Sequence, residues 1–450
     1  MKFSFKGGVH PPEGKELTEN CPIGAGPEPK QVAILMSQHI GAICKPTVKK
    51  KDQVKAGDVI GDSEAFVSAK LHSPVDGTVK EISYRSHPVL GRVQAVIIDV
   101  DPESPVKQPA DQSLFANIKL DDISEEKIIE AMGECGLVGM GGAGFPTKIK
   151  ALPNPKMPKE VMIVNACECE PYITCDYRVM LEWTDQFVAG IRMMKKASGC
   201  EKCYIGIEDN KPEAISLIQE KVKDLDNIEV TVLKTKYPQG GERQLISAVL
   251  NKVIPTGQIP PMAGIVVCNV STAAALAEAV ITSAPLTHRA LTISGKGVNK
   301  PGNYYVPVGI SVEELIEHAG GLKDDAVKIV MGGPMMGFAI GDMTTPTTKT
   351  TGSILALTPK EIGKAKFSKV LTSCIRCGRC LDVCPETLNP TKIAHAVKAD
   401  RLEIAEDHYI SACMECGSCS YVCPANIELT GYIKTGKILI ARKKKNMPSD

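Results

Sequence analysis

The sequence has no excess of charge of either sign: 53 Lys and Arg stand against 52 Asp and Glu over 450 residues. No global field therefore favours nucleic acid or an acidic surface. Long apolar runs are missing too. The opening MKFSFKGGVHPPEG has no apolar segment and does not read as a signal peptide. The most apolar long stretch, Ala263 to Ile281, is interrupted by Asn269, Ser271, Thr272 and Glu278. A buried strand followed by a helix is expected there rather than a membrane span. The expectation is a soluble chain that reaches any membrane by docking onto something else.

Cysteine is abundant instead, with 17 residues, but it is not spread as a disulfide framework would be. Eight cysteines fall between Cys374 and Cys423 in two matched runs, which points to metal binding in a reducing compartment. Cys374, Cys377, Cys380 and Cys384-Pro385 form one run; Cys413, Cys416, Cys419 and Cys423-Pro424 form the other. Both read C-x2-C-x2-C-x3-C-P, in which three closely spaced thiolates wrap one [4Fe–4S] cubane. The fourth cysteine of each run ligates the other cubane. The expected sets are therefore Cys374, Cys377, Cys380 with Cys423, and Cys413, Cys416, Cys419 with Cys384. Zinc ribbons use two pairs per metal and have no use for the third cysteine and the C-P. Cys200-x2-Cys203 has no partner pair nearby and reads as two ordinary buried thiols, as do the isolated cysteines 21, 44, 135, 175 and 268.

Upstream, residues 45 to 100 show short alternating runs broken by Gly and Pro, the pattern of a small all-β unit. Its segment KAGDVIGDSEAFVSAKLHSPVDGTV resembles the biotinyl/lipoyl-type barrel-sandwich hybrid. Phe66 stands where that family carries its modified Lys, and Lys70 is out of register, so the scaffold is expected without a swinging arm. Residues 102 to 122 are polar and read as a linker. Ser124 then caps a helix that ends before Gly136. Next comes Gly139-Met-Gly141-Gly142-Ala-Gly144-Phe145, which satisfies G-x-G-x-x-G. A helix precedes it and Pro146 follows, so the dinucleotide fingerprint fails its context. Such a loop still lets backbone approach a phosphate or a flat ring.

Three apolar strands follow, each ending in polar or Gly-rich residues. Val161–Asn165 leads to Glu168 and Glu170; Glu229–Leu233 leads to Tyr237, Gly240, Gly241 and Glu242; Gly264–Cys268 leads to Asn269 and Thr272. Strand ends at one carboxyl edge of an α/β sheet are where ligands bind, and one convergent pocket accounts for all three.

The order GGAGFPT, N-A-x-E-x-E-P, Y-x-x-G-x-E, N-V-x-T resembles the FMN- and NADH-binding subunit of respiratory complex I. Leu291 to Leu322 and Gly332 to Gly337 are similar to the β-grasp SLBB domain that follows it. With the opening Phe5 to Glu13, the barrel-sandwich unit and the two cysteine runs, residues 3 to 430 resemble the peripheral C subunits of membrane-bound Rnf complexes. The resemblance implies a multidomain α/β chain. A lipoyl-like barrel-sandwich hybrid would occupy residues 1–110, a Rossmann-like FMN/NADH domain 120–288 and an SLBB β-grasp 289–345. A two-cluster ferredoxin-like α domain would occupy 364–430 and a basic tail 431–450.

The resemblance implies FMN contacts from Gly141, Gly142 and Gly144, with Lys150 near the phosphate. Asn165 and Glu168 would face the ring system, and Tyr237, Gly240, Gly241, Glu242, Asn269 and Thr272 would complete the pocket. Phe145 and Glu170 would meet NAD(H). Cys167 and Cys169 depart from the complex I pattern and are pocket-lining candidates with no assigned role, and Gly241 replaces an acidic residue, so that only Glu242 remains of that pair. Thr344 to Thr351 lacks the S-G-A-T motif of covalent sites, so the FMN is expected to be non-covalent. The implied function is ferredoxin:NAD+ oxidoreduction coupled to ion translocation, on the cytoplasmic face. Expected partners are the other Rnf membrane and iron–sulfur subunits and NADH, with ferredoxin indirect. A soluble NADH-dependent reductase similar to the cobalamin reductase, or a flavin-free relay, are the other readings of the same residues.

Overall fold

The computed structural model describes residues 3–362 and 373–446. The expected start of the cysteine domain at residue 364 and the last four residues of the basic tail lie outside them. Four sheets organise the chain.

Two small antiparallel sheets form the N-terminal unit. In the larger, Gln31–Leu35 pairs with Gly91–Val100, which forms a long hairpin with Gly77–His87. Inward-facing Val32, Ile34, Val79, Val96 and Ile98 meet Ile60 and Leu71 of the smaller sheet in one apolar core. This is the expected all-β sandwich. Phe66, at the position of the missing Lys, is 73% exposed. Lys70 is engaged elsewhere, paired with Glu134 at 2.5 Å.

The stretch 102–122 connects the two units but is pinned down along its length. Phe115 is buried, and Lys107 pairs with Glu278 at 2.7 Å. Beyond it the helix Glu125–Glu134 starts where Ser124 accepts a hydrogen bond from the Lys127 N–H, and the chain turns out of it through a left-handed Gly136.

The central domain is a four-stranded, all-parallel sheet in the order Ile228–Leu233, Lys202–Glu208, Val161–Ala166, Ile265–Asn269. Its strands read as continuous Val/Ile runs because helices cover both faces. Thr184–Ser198 and Val270–Thr282 contribute to one core, and Glu242–Leu250 to another on the opposite side. Chain order reverses between Val161–Ala166 and Ile265–Asn269, which makes their carboxyl ends the switch point of the sheet.

The third unit is a six-stranded mixed sheet. Its inner strands are Gly302–Pro307, His288–Ser294, Ser353–Leu357 and Lys328–Met331, and helix Val312–His318 is capped by a Ser311/Glu314 capping box. One edge strand is supplied from the far N-terminus: Ile23–Ala25 runs parallel to Asn303–Tyr305. The cysteine domain is helical, with Pro390–Lys398 packed on the long C-terminal helix Leu429–Asn446. Among the described residues no helix is long and apolar enough to cross a membrane.

Candidate functional site

The three strand ends do meet. Asn165 and Asn269 are register partners on adjacent strands at the switch point. The Asn165 amide donates to the Gly240 carbonyl at 2.7 Å, which draws the Tyr237–Glu242 loop over the first strand end. Asn269 caps helix Val270–Thr282 by accepting from the Thr272 N–H. The Thr272 hydroxyl accepts from the Met140 N–H at 2.9 Å, so the Gly-rich loop is anchored on that helix start. A Cβ on Gly141 would stand 2.5 Å from the Asn269 amide, so only glycine allows the loop this close. Gly142 is exposed and faces open space. Gly144 turns the loop back against Gln38 and His39 of the N-terminal unit, and the Phe145 carbonyl accepts from the Gly139 N–H at 2.9 Å. Lys150 donates to the Val267 carbonyl at 3.1 Å, at the rim of the same strand. Glu242 begins its helix and is exposed, next to Gly241.

Two carboxylates after the first strand are turned inward. Glu168 accepts from the Asp176 and Tyr177 N–H groups at 2.6 and 3.2 Å, at the start of helix Cys175–Glu182. Glu170 accepts from the Met335 and Met336 N–H groups at 3.1 and 2.9 Å. Burial pushes both carboxyls up to about 7, although the N–H donors and Lys15 oppose it. Both side chains thus fasten the loop to its neighbours. Cys167 is buried with its thiol towards the Gly206 carbonyl, while Cys169 accepts from the Gly240 N–H at 3.2 Å. Burial raises both thiols well above their usual range.

Three residues of this region are not legible in the sequence. Asp176 accepts from Asn269 at 2.6 Å and from the Ser271 hydroxyl, linking the two sides of the switch point. Lys15, fully buried, donates to the carbonyls of Glu168, Glu170 and Ile173 at 2.8, 3.1 and 2.6 Å. Lys211, also buried, donates to the Cys167 carbonyl at 2.7 Å. The two ammonium groups underlie the whole turn from Cys167 to Ile173. Nothing local in the sequence marks Lys15, because its partners lie about 150 residues away.

Cys384, Cys413, Cys416 and Cys419 line one small cavity, with Pro385, Met414 and Ser418. A thiol from the first run therefore joins three from the second, the combination expected for crossed ligation. Among the described residues no three candidate ligands stand at the spacing of a single ion. A cubane is wider than an ion, and four soft sulfur donors around a compact cavity fit such a cluster. Burial pushes the Cys413 thiol up to about 12 and that of Cys419 to about 11, so ligation would have to displace those protons. Of the other four, Cys377 is exposed, Cys374 and Cys423 are half-buried, and Cys380 is buried and contacts the Thr391 hydroxyl at 2.8 Å. Cys200 and Cys203 are free and buried, as expected.

The cavity and the strand ends adjoin. The Tyr237 hydroxyl, 2% exposed as a residue, donates to the Cys416 carbonyl at 2.7 Å. Val9, Tyr237 and Cys416 share an apolar cluster with Cys169, Met335 and Met414. A Cβ on Gly241 would stand 2.7 Å from Met414. Gln244 donates to Glu386 at 2.8 Å on the same seam.

Four family models match the chain. They are the RnfC barrel sandwich hybrid domain over residues 3–103, the Nuo51 FMN-binding domain over 132–278, the SLBB domain over 291–339 and the 4Fe-4S dicluster domain over 370–427. The chain is 41% identical over 409 residues to the C subunit of the proton-translocating ferredoxin:NAD(+) oxidoreductase complex of Clostridium ljungdahlii, covering 91% of this chain and 88% of that protein. It is 39% identical over 391 residues to the Na(+)-translocating counterpart of Acetobacterium woodii, covering 87% and 86%. It is 36% identical over 404 residues to the C subunit of the ion-translocating oxidoreductase complex of Rhodobacter capsulatus, covering 90% and 76%. Among solved structures, an NAD+-reducing [NiFe]-hydrogenase in the air-oxidized state matches with a TM-score of 0.51 at 18% identity. That match covers 76% of this chain and 66% of the other, just under two thirds, and concerns the fold alone.

Proposed function

Because this chain belongs to the C-subunit family of ion-translocating ferredoxin:NAD(+) oxidoreductase complexes, we propose that electrons pass on it between NAD(H), FMN and two [4Fe–4S] clusters. Other subunits of such a complex are its partners, and ferredoxin is reached through them. Docking on those subunits, at the cytoplasmic face, would bring it to the membrane. The observation that carries this reading is contiguity. The strand ends at the switch point of the parallel sheet adjoin a cavity lined by four cysteines, with the Tyr237 hydroxyl spanning the seam.

Bound FMN would supply the exchange between hydride, which carries two electrons, and the single electrons that a cubane accepts. The chain's own groups do the rest. Gly141 brings the loop against the start of helix Val270–Thr282, where N–H groups and the helix dipole favour a phosphate, Gly142 leaves open space beside it, and Gly144 turns the loop back. Lys150 adds a cation at that rim. Asn165, Gly240 and Asn269 present amide and backbone groups to a flat ring, with Gly241, Glu242, Tyr237 and Thr272 framing it. Glu168 acts by holding the loop. Phe145 and Glu170 would be the residues nearest NAD(H), with the Glu170 carboxylate already held by the Met335 and Met336 N–H groups. Cys384, Cys413, Cys416 and Cys419 would hold the inner cluster, and Cys374, Cys377, Cys380 and Cys423 the outer one.

The test is to reconstitute the purified chain with FMN and add NADH anaerobically. One flavin per chain, bleached by NADH without any other protein present, is the expected result. A chain that retains its iron but takes up no flavin would replace this reading with that of a flavin-free relay.

A further inference from the structure

Residues 3–17 contain no regular element beyond the single turn Lys15–Leu17, yet they run along the seam between the two sites. On the cysteine side, the Gly8 N–H donates to the Val383 carbonyl at 2.8 Å. On the sheet side, Val9 and Tyr237 exchange both backbone hydrogen bonds, at 2.8 and 2.9 Å. Further along, the Glu13 carbonyl accepts from the Tyr172 N–H at 2.7 Å, and Lys15 gathers the three carbonyls of the Glu168–Ile173 loop. One short arm therefore touches the backbone beside Cys384, the residue that bonds Cys416, and the loop under the strand end.

The glycine pair is what lets it lie there. Gly7 and Gly8 have φ of +81° and +82°, which L side chains rarely adopt. A Cβ would meet the Cys384 carbonyl oxygen at 2.8 Å from Gly7 and the Tyr237 carbonyl oxygen at 2.6 Å from Gly8. The arm's backbone is thus sandwiched between the cysteine run and the Tyr237 loop, with no space for a side chain on either side.

We infer that residues Gly7–Lys15 are a positioning strap, which fixes the separation and orientation of the Cys384-lined cavity relative to the strand ends at the switch point. The inference rests on the proposed function, because the separation matters only if electrons cross it. Each NADH oxidised to NAD+ releases a proton and two electrons, and one electron reduces each cluster. Tyr237 to Cys416 and Gln244 to Glu386 also bridge the seam, so loosening the strap shifts the two sites without detaching them.

The test uses the full chain carrying flavin and clusters, with Gly7→Val on the cysteine side and Lys15→Met on the sheet side. Flavin and iron per chain, amide exchange, and rapid-mixing spectra are read together. In Gly7→Val, exchange of the Gly8, Val9 and Tyr237 amides should rise while flavin and iron contents hold. Flavin bleaching by NADH should keep its rate, and the following cluster bleaching should slow on the order of tenfold, the scale on which small misplacements act. Lys15→Met should raise exchange between residues 168 and 173 and slow the same second phase, and Lys15→Arg should restore it. Raised exchange with an unchanged second phase would overturn the inference, leaving the arm a packing element. Unchanged exchange in both variants would overturn it too. If Gly7→Val loses a cluster outright, Lys15→Met decides by the same criteria. Failure of NADH to bleach flavin in the unaltered chain would count against the proposed function instead, and the exchange data would still report on the strap.

Discussion

The two cysteine runs are near copies in sequence and in backbone, and their surroundings differ in almost every respect. Arg376 and Glu415, Gly378 and Gly417, Thr387 and Asn426 occupy the same left-handed positions in the two halves. Short helices Arg379–Asp382 and Ser418–Tyr421 follow at matching places. Yet Cys416 packs against Val9, Tyr237 and Met335, and a Cβ on Gly417 would stand 2.8 Å from the Met335 carbonyl oxygen. In the outer run Cys377 is exposed, Ile375 is 65% exposed, and a Cβ on Gly378 would meet nothing. A ligand motif specifies what is bound, whereas the surface laid against it decides access and potential. The second run lies against the strand-end loops, and the first is the more exposed.

That contrast can be broken or sharpened in order of expected effect. The largest concerns Cys384→Ala. Crossed ligation predicts loss of the cluster held by Cys413, Cys416 and Cys419, with iron falling by roughly half and the outer cluster's resonance intact. Mössbauer or EPR spectra showing loss of the other cluster would sink the assignment. Next is access: an iron chelator with a mild oxidant should bleach the outer cluster several-fold faster than the inner one, because Cys377 is the exposed thiol. Equal rates would mean that the burial contrast has no chemical consequence. A smaller effect is expected for Tyr237→Phe, which leaves the Cys416 carbonyl without its buried donor. The loss should be about 1 kcal/mol of stability in denaturant titration, with the inner cluster's resonance shifted and the outer one's unchanged. Smallest is Lys437→Met. Lys437 donates to the Cys413 carbonyl at 2.7 Å and also pairs with Glu415 at 2.8 Å, so its charge is already partly balanced. Removing it should make the inner cluster modestly harder to reduce in a redox titration and leave the outer cluster where it was.

Features with local causes are legible in the sequence. The cysteine spacing, the Ser124 cap and the glycine loop each depend on residues within a few positions, and so does the polar end of each Val/Ile strand. The strand ends also announce a shared pocket, because parallel strands linked by helices must all finish at one edge. Non-local partnerships stay hidden. Lys15 looks like any surface lysine until the fold brings the Glu168–Ile173 carbonyls around it, and Asp176 looks like an ordinary first-turn acid. The resemblance turns Glu168 towards the ring system, whereas its carboxylate caps a helix. The pattern N-A-x-E-x-E-P locates that glutamate in sequence but cannot say which way it turns after a left-handed backbone at Glu168.

The parallel pairing of Ile23–Ala25 with Asn303–Tyr305 has a consequence for how the chain is made. Ile23–Ala25 is made long before its partner, in a sheet whose last described strand, Ser353–Leu357, is synthesised after the other described strands. The arm before it closes in steps: Lys15, Glu13 and Val9 find partners between residues 168 and 237, whereas Gly8 needs the carbonyl of Val383. The central parallel sheet and its helices can fold as soon as they emerge and can hold the arm from that side, whereas the edge pairing and the Gly8 bond come later. The contacts of residues 8–25 thus run through three of the four units and are locked in that order. A nascent chain stalled before residue 300 should leave residues 23–25 open to protease, and a completed chain should protect them.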